Sequence, residues 1–164
     1  MVNKKKDTKI KIVNAKKENV SLVLSFIKEL AEYEKLLGEV TATEKLLKKT
    51  LFAKKSVAKV LLAYYNDEPA GFAVFFYNFS TFIGKPGLYL EDVFVKPAFR
   101  GKGIGKAILI HLAGHAKKND CGRFEWAVLD WNKSAIKFYK SLNALPMDEW
   151  TIYRLDRDAI NDLG

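Results

Sequence analysis

At 164 residues, with 49% hydrophobic and 29% charged side chains, the chain has the size and composition of one globular domain with a real core rather than of a disordered segment. The lone Cys121 excludes an internal disulfide framework, and no apolar run approaches the ~20 residues of a membrane span. The net charge of +9 is concentrated at the start, where residues 1–17 hold seven lysines and one aspartate; residues 18–164 hold 21 basic and 18 acidic residues, too balanced for a nucleic-acid-binding surface. The lysines at the N-terminus precede no apolar stretch of the signal-peptide kind. The expectation is a cytoplasmic protein with no nucleic-acid and no membrane partner, a basic disordered tail over residues 1–8 and one domain over residues 9–164.

Thr8 to Val13 alternates weakly and is expected to be a first strand. From Val20, apolar residues at 20, 23, 24, 27, 30 and 31 recur at helical spacing, and one further step along that stripe reaches Glu34. That carboxylate either reaches into a cleft or is solvated where the helix frays. Thr43 to Phe52 reads as a short helix capped by Thr43. Val57 to Tyr65 and Gly71 to Phe79 read as an antiparallel hairpin joined through Asn66-Asp67-Glu68-Pro69. Gly84 to Gly87 turns the chain into a strand over Leu88 to Val95, which carries the acids Glu91 and Asp92.

Pro97 ends that strand's regular ladder, and Arg100-Gly101-Lys102-Gly103-Ile104-Gly105-Lys106 opens a helix that ends near Asn119. A strand, a glycine-rich turn and a helix N-terminus together make an anion site, because the first-turn N–H groups have no intrahelical acceptor. The spacing is neither G-x-G-x-x-G nor that of a P-loop. The plain alternative is a glycine-rich connection without a ligand. Phe124 to Leu129 follows as a strand, and strand–helix–strand order implies a right-handed crossover and a parallel pair. Asp130-Trp131-Asn132 leads into a helix from Lys133 to Leu142, with Asn143 at the left-handed position that ends it. Trp150 to Leu155 is expected to be a last strand before a short acidic tail. The fold class is α+β, with a mixed, mostly antiparallel sheet and helices on its faces.

Five strings in order, IKELAEYEK (27–35), LYLEDVFV (88–95), RGKGIG (100–105), DWNKSAIKFYK (130–140) and DEW (148–150), resemble the spermidine/spermine N-acetyltransferase branch of the GNAT superfamily, which also includes thialysine acetyltransferases. The resemblance covers residues 9 to about 160. It implies the GNAT fold with a splayed parallel strand pair, acetyl-CoA as cosubstrate without a metal, a small cationic amine as acceptor, and a homodimer.

By the same resemblance, Glu91 is the base that frees the amine, with burial raising its pKa, and Tyr139 is the acid that protonates the departing thiolate. Acetyl-CoA is assigned to the backbone of Val93, Phe94 and Val95, to Arg100, Gly101, Lys102, Gly103, Ile104, Gly105 and Lys106, and to Asn132, Lys133, Ser134 and Ala135. The amine is assigned to Tyr33, Glu34, Glu91, Asp92, Glu125, Trp126, Ala127, Glu149 and Trp150, since carboxylates lining a groove focus attraction for a cation. The acceptor is a diamine or polyamine, or alternatively a thialysine- or lysine-like amino acid. Read without the resemblance, Phe138-Tyr139 is also an ordinary apolar pair, Asn132 an ordinary N-cap, and Glu125 and Glu149 surface acids. Two departures from the branch stand out: Asn143 where glycine is frequent, and Val93 where an aromatic is common.

Overall fold

A computed structural model describes residues 9–164; the expected tail over residues 1–8 lies outside them. The chain divides into two compact units, one ending at Ala127 and the other starting at Val128.

The first unit is built on a five-stranded sheet in the order β1-β2-β3-β4-β5. Its strands are β1 (Ile10–Asn14), β2 (Lys59–Tyr65), β3 (Glu68–Ser80), β4 (Lys85–Val95) and β5 (Arg123–Trp126). Three pairings are antiparallel, and β4 with β5 is the parallel pair expected from the crossover. The hairpin turn is tighter than its sequence suggests. Only Asn66 and Asp67 form it, both at positive φ (50° and 66°), the backbone a two-residue hairpin needs, and Glu68 and Pro69 already belong to β3. Pro69 is tolerated there because the register shifts between Ala63 and Tyr64.

One face of the sheet is covered by α1 (Val20–Tyr33), whose Phe26 is fully buried, stacks on Phe72 at 5.4 Å and meets Phe94 edge-on at 6.4 Å. Val60, Leu62, Phe72, Val74 and Phe94 form that core with Val23, Phe26 and Leu30. The stripe read from the sequence omitted Phe26, the best-buried aromatic of the helix, and placed Leu24 and Ile27 inward, where both are only partly covered. The other face packs against α3 (Ile104–Lys118), with Phe75 touching His115 at 5.6 Å and Ile104, Ile108 and Leu112 buried. Between β1 and β2, α2 (Glu44–Thr50) starts where Thr43 Oγ1 accepts from the Leu46 N–H, so the expected cap forms.

Both long helices stop without glycine. Lys35 (φ 63°) and Asp120 (φ 51°) take the left-handed position, and Leu36 N–H donates to Ala31 O, and Cys121 N–H to Ala116 O, across the end of the helix.

The second unit holds α4 (Lys133–Lys140) and α5 (Arg157–Leu163). Asn132 Oδ1 accepts from the Ala135 N–H, and Asn143 adopts φ 61°, as its place after the helix predicts. Two features differ from expectation. No strand forms over Trp150 to Leu155; Trp150, Ile152 and Tyr153 stand 72%, 75% and 92% exposed. The segment has strand composition, but a strand exists only where another strand pairs with it, and the described sheet ends at β5. The acidic tail instead forms α5, capped by Asp156 accepting from the Ala159 N–H.

Candidate active site

The site begins with one extra residue in β4. Along the β3–β4 ladder, Val74 pairs with Asp92 but Phe75 pairs with Leu90, so Glu91 is left over as a bulge. Before the bulge, Leu88 and Leu90 pair with Tyr77 and Phe75 on the α3 face; after it, Asp92 and Phe94 pair with Val74 and Phe72 on the α1 face. Without the bulge, Leu90 and Asp92 would share one side of the strand. With it, Asp92 turns toward α1 and is half-buried, while Glu91 is exposed. The burial expected at Glu91 is found one residue later.

Asp92 meets a second acid there. Glu34 caps the C-terminus of α1, its N–H donating to Leu30 O at 2.9 Å. Burial, then the charges of Glu91 and Glu34, push the Asp92 carboxyl up to about 6, and burial also raises Glu34. Farther down β4, the Tyr89 phenol is raised by burial and by the neighbouring Glu91 and Glu125. Tyr89, which sequence reasoning missed, pairs with Glu125 across the parallel ladder and packs on Phe76 at 5.2 Å. Its signal was only its parity with Glu91 along the strand. Glu125 is not a free charge: Arg123 Nε lies 2.9 Å from its Oε2. Trp126 is half-buried and edge-on to Phe124 at 5.0 Å, and Ala127 is exposed.

The parallel pair ends early. The last β4–β5 partners are Leu90 and Trp126, whereas β4 continues against β3 to Val95, opposite Gly71. Beyond Leu90, the β5 side of β4 therefore has no ladder partner in β5, and Val93, Phe94 and Val95 lie on this edge. An edge of this kind accepts an extended chain of amides.

After β4 the glycine-rich turn forms as its spacing suggests. Gly101 and Gly103 take φ 74° and 83°, a backbone that side chains rarely adopt, and nothing lies within 4 Å of a Cβ built on Gly101. Gly103 is the N-cap of α3 and provides no side-chain cap, so no side chain competes for the first-turn N–H groups of Ile104, Gly105 and Lys106. These residues fit an anionic phosphate group. The two cations of the loop are placed against rings: the Arg100 guanidinium lies 4.4 Å from the Tyr33 ring and Nε donates to Val95 O, and Lys102 Nζ lies 4.9 Å from the Tyr65 ring.

In the second unit, Tyr139 is half-buried on α4, 5.5 Å from the Phe138 ring, with Asn132, Lys133, Ser134 and Ala135 forming the start of that helix. Glu149 and Trp150 are exposed. A hollow of about 390 Å³ in the first unit lies at the start of β5, lined by Lys117, Cys121 and Arg123, away from the end of the ladder at Trp126.

The acetyltransferase (GNAT) family pattern matches residues 26–144, spanning α1, the bulged strand, the glycine turn and α4. The chain belongs to the GNAT acetyltransferase family. It is 35% identical to the thialysine N-epsilon-acetyltransferase of Sus scrofa over 164 aligned residues, covering 93% of this chain and 96% of the relative. It is 31% identical to a human spermidine/spermine N(1)-acetyltransferase-like protein, covering 87% of this chain and 22% of that longer one. Among solved structures, an integron cassette protein from the mobile metagenome of V. cholerae superposes with a TM-score of 0.78 at 33% identity, covering 94% of this chain and 96% of the other. The GNAT acetyltransferase is thus an N-acyltransferase, and its family uses acetyl-CoA as cosubstrate. No helix among its described residues is long and apolar enough to cross a membrane.

Proposed function

We propose that the enzyme moves acetyl from acetyl-CoA to the terminal primary amine of a small aliphatic cation, a thialysine- or lysine-like amino acid in the first place. The observation that carries this reading is the convergence of Glu34, Glu91 and Asp92 beside the open end of the parallel pair. Three carboxylates in one place suit an ammonium group close to the reacting carbon. Glu125 held by Arg123 leaves less free negative charge along β5 for a second, distant ammonium, and the nearly full-length thialysine relative points the same way. A diamine or polyamine is the second reading, favoured by the spermidine/spermine-like relative.

In this reading the edge of Val93 to Val95 binds the pantetheine amides and supplies N–H donors to the oxyanion. Residues Arg100 to Lys106 take the pyrophosphate at the N-terminus of α3. By the family resemblance, Asn132 to Ala135 are assigned to the cosubstrate and the Tyr139 phenol to protonation of the thiolate. Trp126, Ala127, Glu149 and Trp150 complete the acceptor side. We further propose a homodimer in the cytoplasm, without a nucleic-acid partner; the exposed Trp150, Ile152 and Tyr153 are apolar surface that a second copy would cover.

The test is CoA release from acetyl-CoA with thialysine, lysine, ornithine, putrescine, diaminopropane, spermidine, spermine and a histone-tail peptide as acceptors. Preferred turnover of the amino acids, with kcat lowered about 100-fold in Tyr139→Phe, supports the reading. Preferred turnover of spermidine and spermine moves the assignment to the second reading, and turnover of the peptide alone overturns both.

A further inference from the structure

We infer that Tyr65 and Phe99 are positioning residues for the cosubstrate: their rings hold Lys102 and so fix the path of the phosphate loop before acetyl-CoA binds. The inference rests on the acetyl-transfer reading above and adds to it residues that set the affinity for CoA from outside the loop.

The loop has little else to hold it. Lys102 is the residue between Gly101 and Gly103, which both take positive φ (74° and 83°). A Cβ built on Gly101 would meet nothing within 4 Å, and one on Gly103 would meet Ile10 Cδ1 at 4.0 Å. The backbone here is uncrowded, and glycine has the most conformational freedom to lose when a ligand orders it. Gly103 also brings no side-chain cap to α3. Without a tether, part of the affinity for the phosphates would be consumed in ordering the turn.

Lys102 supplies the tether. Its Nζ lies 4.9 Å from the centre of the Tyr65 ring and 5.1 Å from that of Phe99. The two rings are 6.0 Å apart and inclined at 56°, an open V with the ammonium nearly equidistant from its walls. Both distances fall within the ~6 Å over which a ring quadrupole attracts a cation. The rings are half-buried whereas Lys102 is exposed, so the fold fixes the V and the V fixes the lysine. Tyr65 is the last residue of β2 and pairs with Ile10 of β1. Phe99 closes the short helical turn over Pro97–Phe99, its N–H donating to Lys96 O at 2.9 Å.

The direction of the lysine separates this role from a direct grip on phosphate. Its ammonium is on the β2 side of the loop, whereas the open edge of β4 is the one toward β5. Arg100 behaves alike, with its guanidinium 4.4 Å from the Tyr33 ring and its Nε donating to Val95 O at 3.0 Å. Among the described residues neither cation forms an ion pair. Rings and a carbonyl hold the two cations, and the first-turn N–H groups of α3 are left to meet the phosphates.

The experiment measures the Kd for CoA by calorimetry, and kcat with both KM values, at about 50 and 300 mM salt. The proteins are wild type, Lys102→Met, Tyr65→Leu, Tyr65→Phe, Phe99→Leu and the double variant Lys102→Met/Tyr65→Leu, with melting curves to verify folding. The expected result is a Kd raised roughly fivefold in Lys102→Met and in Tyr65→Leu, and about twofold or more in Phe99→Leu. The double variant binds no more than about twofold worse than the weaker single one, because both changes remove the same contact. Tyr65→Phe keeps the ring and stays within about twofold of wild type. The KM for acetyl-CoA follows Kd, while kcat at saturation and the KM for the amine move less than about twofold. The tether is overturned if Lys102→Met weakens CoA, less so at the higher salt, while the ring variants bind normally, which marks a direct phosphate contact. It is also overturned if the two losses multiply in the double variant, if no variant changes Kd, or if kcat and both KM values worsen together. Wild type that binds CoA but turns over no amine overturns the acetyl-transfer reading and leaves the tether to be decided by calorimetry; wild type that binds no CoA overturns both.

Discussion

Replacing Asp92 by asparagine is expected to stabilise the fold at neutral and alkaline pH. The carboxyl moves from 3.8 to about 6 on folding, through burial first and then Glu91 and Glu34. A carboxyl raised in this way binds its proton more tightly in the folded chain than in the unfolded one. Stability therefore declines as pH rises from about 4 to about 6, and the whole penalty stands above that range. A displacement of that size is about 3 kcal/mol at 1.36 kcal/mol per tenfold change, and solvent screening at a half-buried side chain reduces it to about 2 kcal/mol. Asparagine has the same shape without the charge. Urea unfolding of wild type and Asp92→Asn at a series of pH values measures the difference: close to zero near pH 4, and about 2 kcal/mol in favour of the variant near pH 8, with a Tm higher by roughly 4–8 °C. A difference that does not change with pH, or a variant less stable than wild type near pH 8, would refute the burial argument.

The remaining predictions concern the backbone that frames the site. Gly103→Ala places a side chain at φ 83° on the N-cap of α3; it is expected to cost about 1 kcal/mol and to raise the KM for acetyl-CoA several-fold more than the KM for the amine, measured by varying each substrate in turn. Gly71→Ala drives a Cβ into the Phe94 carbonyl opposite it, backbone that cannot swing aside. A loss of about 2 kcal/mol or more in denaturant unfolding, with disturbed β4 amides in hydrogen exchange, is the expected outcome; an unchanged midpoint would show that the β3–β4 ladder yields there.

Much of the architecture was legible because it rests on local chemistry. Thr43 and Asn132 cap the helices they precede, Asn143 turns left-handed after α4, and Gly101 and Gly103 of RGKGIG take the positive φ that their place between strand and helix requires. The order strand, helix, strand was enough to pair β4 with β5 in parallel. The candidate site was legible as a set of residues, since Glu34, Glu91 and Asp92 stood out by position and charge. What each of them does was not. The acids differ by which one is turned inward, and a bulge is a mismatch between two strands that neither strand's sequence displays alone. The arginine holding Glu125 was equally hidden, because side chains two apart on a strand meet only once the strand is fixed in the sheet. At Trp150 to Leu155 the composition favoured a strand, yet no strand forms without a partner ladder.

The sequence by itself determined the helix starts and stops, the turns and the phosphate-type loop, since capping, φ preference and orphan N–H groups act within a few residues. Only the tertiary structure decided that Glu91 faces water and Asp92 faces the core, because register, burial and the field of neighbouring carboxylates are properties of strands and helices brought together.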